Sequence, residues 1–72
     1  MKNNASVHKF NIWYLNADGT YDYDFRQERY VVATSEEEAE KKLDAHRKQA
    51  IKNGFADFRF VYMGVELDTV II

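Results

Sequence analysis

The chain has 72 residues, no cysteine, no proline and three glycines. Without cysteine it can build neither a disulfide framework nor a thiolate zinc site, so packing or a partner must hold so short a fold together. The glycines stand at positions 19, 54 and 64. They are too far apart to cradle a phosphate, and no dinucleotide fingerprint or nucleophile elbow is present. No apolar run approaches the roughly 20 residues that a membrane helix needs. The first six residues, Met1 to Ser6, lack the apolar core of a signal peptide, so a cytoplasmic setting is expected. A surplus of positive charge is also missing. Ten basic against 12 acidic residues leave a net charge of −2, which argues against a general nucleic-acid coat or a binder of anionic membranes.

What the chain does have is rings: five tyrosines, five phenylalanines and one tryptophan. A chain of this size buries only about 60–65% of its unfolded surface around one core, so a single α+β domain over residues 1–72 is expected, with 1–6 as a flexible N-terminal segment. Val7 to Leu15 alternates, with Phe10, Ile12 and Tyr14 on one face and Lys9, Asn11 and Trp13 on the other, the period of a strand. Asn16, Ala17, Asp18 and Gly19 supply turn chemistry, and a hairpin should follow. The second strand is expected from Thr20 to Ala33, with Tyr21, Tyr23 and Phe25 alternating against Asp22, Asp24 and Arg26 and a bulge or bend near Gln27 to Arg29. Phe58, Phe60 and Tyr62 alternate with Arg59, Val61 and Met63 in a third strand, which Gly64 interrupts as a bulge or turn. Thr69 to Ile72 is a candidate fourth strand.

A helix is expected over about Glu36 to Lys52. Thr34…Glu37 and Ser35…Glu38 both fit the capping box. Acidic residues crowd the first turn, and Arg47, Lys48 and Lys52 lie where the helix dipole is negative. Gly54 stands where a left-handed C-terminal cap belongs. The inward stripe is Ala39, Leu43, His46 and Ala50, with Ile51 at the edge, which is thin cover for so many rings. The fold class is therefore one helix on one face of a three- to four-stranded, mainly antiparallel sheet in the order β-β-α-β(-β). If the third strand lies parallel beside the first, the crossover should be right-handed.

Candidates for chemistry are few. His46 lies on the apolar stripe and is read as a partly buried histidine at the core edge; no H-E-x-x-H or similar ligand spacing accompanies it or His8, so no metal is expected. Asn16, Asp18, Asp22 and Asp24 invite a calcium loop. The alignment puts Tyr14 at the first ligand position and Phe25 where a bidentate glutamate is required, so turn formation explains them better. No catalytic residue, cofactor or enzymatic activity is expected. Phe58, Phe60 and Val61 partly echo the sheet aromatics of RNA-recognition domains. Asp57 and Arg59 break that signature, and the second helix is missing, so single-stranded nucleic-acid binding is a secondary expectation.

Both parities of the strands are apolar, whereas one narrow helix covers one face. The uncovered face should therefore keep an apolar patch that includes Trp13, Leu15, Tyr30 and Val32 and that meets a second copy or another protein. Polar substitution of Trp13 or Tyr30 should then abolish association and leave the fold intact. The stretch from Tyr30 to Leu43, with its valines, serine cap and acidic first turn, resembles the strand-to-helix junction of small ββαβ proteins of bacteria, phages and mobile elements. Length and element order are also similar to those of some phage-encoded anti-CRISPR proteins. That resemblance implies an inhibitor that binds a host protein or nucleoprotein complex without catalysis, and it implies no site residues.

Overall fold

The computed structural model describes residues 5–66. Three strands and one helix follow in the order β1 (Ser6–Tyr14), β2 (Gln27–Ala33), α1 (Glu36–Lys52) and β3 (Phe58–Val65). The sheet order is β2-β1-β3, with β1 antiparallel to both neighbours. Strands β2 and β3 are thus parallel to each other with β1 between them, and the helix carries the chain across. The parallel arrangement considered for the first and third strands does not form. The proposed fourth strand, Thr69 to Ile72, lies outside the described residues, as do residues 1–4 of the expected flexible segment. Ser6 is already in the sheet, opposite Ala33.

Strand β2 starts at Gln27, not at Thr20. Between the two strands, Leu15 and Tyr21 form one isolated bridge, beside which the Asp22 N–H donates to the Tyr14 C=O at 2.8 Å; past it the main-chain bonds are local, Tyr23 N–H to Tyr21 C=O at 3.0 Å and Phe25 N–H to Asp22 C=O at 3.2 Å. Tyr21 therefore holds the bridge and Tyr23 sits in the turn that follows. Gly19, at φ +92°, closes the tight turn with its N–H on the Asn16 carbonyl at 3.1 Å, and the Asp18 carboxylate accepts from the Thr20 N–H at 3.0 Å, the Asx chemistry that the residue types dictate. In β3, Lys9 pairs with Gly64 and Phe10 with Tyr62. Met63 is the extra residue of a bulge, and Gly64, at φ +112°, takes a backbone conformation that L side chains avoid.

The helix has the bounds that its signals demand. Ser35 caps it, its hydroxyl accepting from the Glu38 N–H at 3.1 Å. The Glu38 carboxylate reaches back to Thr34, accepting from its N–H and, at 2.8 Å, from its hydroxyl. Those two bonds hold the Glu38 carboxyl below its ordinary value of 4.5. Hydrogen bonds from Arg47 and then Lys48 likewise lower Asp44, while desolvation first, and then Glu36, raises Glu40. A lowered folded-state pKa contributes stability above the unfolded value and loses it as pH falls through the folded one; a raised pKa has the opposite sign. Lowered groups outnumber the raised one along this helix. Thermal stability should therefore decline as pH drops below the ordinary carboxylate range, and Glu38→Gln should flatten that decline. Melting curves followed by circular dichroism between neutral and acidic pH check this.

The core lies between α1 and one sheet face. Phe10, Ile12, Ala33, Ala39, Leu43 and Phe58 are buried, with Tyr14, Val31, Phe60 and Tyr62 packed partly against them. Ala39 and Leu43 alone bring the helix down onto the sheet. Farther along, Ala50 is half-buried, but His46 and Ile51 are exposed, so the expected stripe holds for its first two members and His46 is not the core-edge histidine. That place belongs to His8, which shares a face with Phe10 and Ile12 and is buried. Its Nδ1 lies 2.9 Å from the Tyr62 hydroxyl and its Nε2 lies 3.2 Å from the Ala33 carbonyl.

Candidate functional site

With α1 on one face, the strand register decides what the other face carries. Val7, Lys9, Asn11 and Trp13 of β1 point away from the helix. Their partners Val32, Tyr30 and Glu28 on β2, and Arg59 and Val61 on β3, share that side. Met63 joins them across the bulge. This face is apolar along both margins: Tyr30 is 52% exposed, Val32 57%, Val61 40% and Met63 51%. Such residues on one side of a small sheet form a patch of the kind that marks a contact surface.

The middle of the face is polar, and Lys9, Glu28 and Tyr30 pair with one another across it. Lys9 Nζ lies 3.3 Å from Glu28 Oε2, and the Tyr30 hydroxyl donates to Glu28 Oε1 at 2.9 Å. The Tyr30 bond is the first cause that lowers Glu28, with Lys9 next, and the same bond raises the Tyr30 phenol. Tyr30 thus lies along its strand with its ring presented outward and its hydroxyl occupied. Asn11, at the centre, is buried, and its Oδ1 has no hydrogen-bond partner among the described residues.

Of the four residues singled out from sequence, two are prominent here and two are partly covered. Tyr30 and Val32 stand exposed on β2. Trp13 is half-buried because the segment between β1 and β2 folds back and lays Tyr23 on its ring, with centroids 5.6 Å apart, while Arg59 donates to the Tyr23 hydroxyl at 3.2 Å. Leu15 lies just past the end of β1, half-buried beside its bridge to Tyr21. Sequence reasoning missed Val7, Val61 and Met63. The signal was the parity of β3, in which Val61 and Met63 oppose the Phe58, Phe60 and Tyr62 stripe.

Phe58 and Phe60, the rings considered for base stacking, lie on the helix-covered face, Phe58 buried and Phe60 half-buried. His46 lines a cleft of about 480 Å³ where the C-terminal half of α1 diverges from the sheet, together with Tyr14, Gln49, Ala50, Phe55 and Phe58. No carboxylate lines that cleft to orient the imidazole. Arg47 closes the same end of the molecule, holding Asp57 at 2.8 Å and Asp44 at 2.9 Å. Among the described residues no three His, Asp or Glu side chains form a group able to hold a metal ion, and no helix is long and apolar enough to cross a membrane. No family model, curated protein or solved structure matches this chain.

Proposed function

We propose that this chain is a non-enzymatic protein-interaction module that associates with a second copy through its sheet, whose apolar residues opposite α1 stand bare. The observation that carries the reading is the exposure of Tyr30, Val32, Val61 and Met63 on a face that α1 leaves bare. Their exposed apolar surface is costly in water and is recovered on contact. The electrostatics favour protein over nucleic acid: Lys9 is neutralised by Glu28 on the same face, and the chain as a whole is acidic, whereas phosphate binding wants unpaired cations. Tyrosine suits such a surface because it buries a large ring while its hydroxyl keeps a polar partner. The cytoplasm is the setting that the reading assumes.

Size-exclusion chromatography with light scattering at high micromolar concentration tests it. The expected mass is that of a dimer, retained at high salt because the contact is apolar; a strict monomer at every concentration contradicts the reading.

A further inference from the structure

The two margins of the sheet are not equivalent. Main-chain groups along a strand in an antiparallel pair point alternately to the two sides. The Glu66 N–H donates to Val7 C=O at 2.7 Å and the Leu15 N–H to Asp57 C=O at 2.9 Å, so the odd-numbered residues of β1 turn toward β3 and the even-numbered ones toward β2. With the observed register, Glu28, Tyr30 and Val32 point outward from β2, and Phe58, Phe60 and Tyr62 point outward from β3.

Side chains cover the β2 margin at its two ends and leave the Tyr30 N–H and C=O between them without a partner among the described residues. Glu28 C=O accepts from Arg29 Nη1 at 2.9 Å, Val32 C=O accepts from Lys42 Nζ at 2.8 Å, and the Thr34 N–H is taken by Glu38. Charged side chains laid over an edge strand are a standard protection against unwanted pairing. On β3, among the described residues, only the Phe58 N–H is taken, by the Asp57 carboxylate at 2.7 Å. Among the described residues, the outward N–H and C=O groups of Phe60 and Tyr62 have no partner. They sit in the run Phe60-Val61-Tyr62-Met63, which carries no charge. A margin whose open run carries no charge, beside one overlaid by Arg29 and Lys42, identifies where a strand can be added.

We infer that two copies of the chain pair along β3, antiparallel about a two-fold axis at Val61, with Phe60 of each copy exchanging main-chain hydrogen bonds with Tyr62 of the other. This rests on the self-association proposed above and locates it. The register follows from the free groups. A two-fold at Phe60 would need the Phe58 N–H that Asp57 holds, and one at Tyr62 would need Gly64, which is turned inward to Lys9. Centred on Val61, the pairing sets Val61 against itself on the uncovered face and Arg59 against Met63, so no like charges meet. Two three-stranded sheets become one of six strands, and their uncovered faces merge into one surface.

The test uses Val61→Lys, Val61→Glu and Val32→Lys, each on exposed, uncovered-face positions. Sedimentation velocity should show Val61→Lys and Val61→Glu monomeric when alone, an equimolar mixture dimeric, and Val32→Lys dimeric like the wild type. Failure of the mixture to re-form the dimer overturns the two-fold at Val61. Dissociation by Val32→Lys with Val61→Lys still dimeric overturns edge pairing in favour of face-to-face packing, while self-association stands. A wild type that stays monomeric removes both. Should the Val61 variants fail to fold, amide hydrogen exchange on the wild type decides: Phe60 and Tyr62 should slow with rising concentration while Tyr30 does not, and equally fast exchange at all three in a dimeric sample overturns the inference.

Discussion

Phe10→Ala is expected to remove roughly half of the chain's folding stability. Phe10 is fully buried at the middle of the central strand, with the Phe60 ring edge-on at 5.5 Å and the Tyr62 ring at 5.3 Å. Truncating a buried phenylalanine costs about 3–5 kcal/mol through lost transfer energy and the cavity left behind. A domain of this length has a total stability of about 4–10 kcal/mol, and it has no disulfide to limit the unfolded state. The cooperative thermal transition seen by circular dichroism should be lost or moved far downward. A melting temperature within a few degrees of the wild type would show that the core is not organised around this ring.

Leu43→Ala should come second in size, at about 2–5 kcal/mol, and its effect has a different character. Leu43 is the single large side chain that α1 buries; its companion Ala39 serves mainly to let the helix approach closely. Losing Leu43 removes most of what fastens the helix to the sheet, and an isolated helix of this length is marginal in water. Guanidinium unfolding should show a lower midpoint, and amides of α1 should exchange faster than those of β1. Equal exchange in the two elements would mean that the end contacts, such as Arg47 to Asp57 and Lys42 to the Val32 carbonyl, hold the helix instead.

How much of this was legible depended on whether the signal was local. The helix could be placed from Ser35, the glutamates and Gly54, because caps and dipole charges act within one turn. Strand β1 was legible from its alternation, and one helix on a three-stranded sheet follows from element order. Tyr21, Tyr23 and Phe25 alternate as well as any strand, yet only Tyr21 finds a partner, in its single bridge to Leu15. Asp22 and Asp24 favour turns, and Tyr23 gains more by lying on Trp13, a contact that no local pattern reveals. The same contact half-covers Trp13, which strand parity had placed on the uncovered face. His46 was assigned to the core edge by helical period, but it stands exposed, lining the cleft against Tyr14 and Phe58. His8 was weighed only as a metal ligand, although its parity with Phe10 and Ile12 already placed it inward. The inequality of the two sheet margins was beyond sequence reasoning, because it depends on register and on where Arg29, Lys42 and Asp57 reach.

The central claim is that a second copy binds the sheet at its β3 margin and not the helix. The direct measurement is a dilution series followed by methyl nuclear magnetic resonance of the wild type. Val61 and Met63 signals should shift with concentration, while Ala45 on the exposed back of the helix stays fixed. Concentration-dependent shifts at Ala45 with Val61 and Met63 unchanged, or no shifts anywhere up to high micromolar concentration, would contradict it.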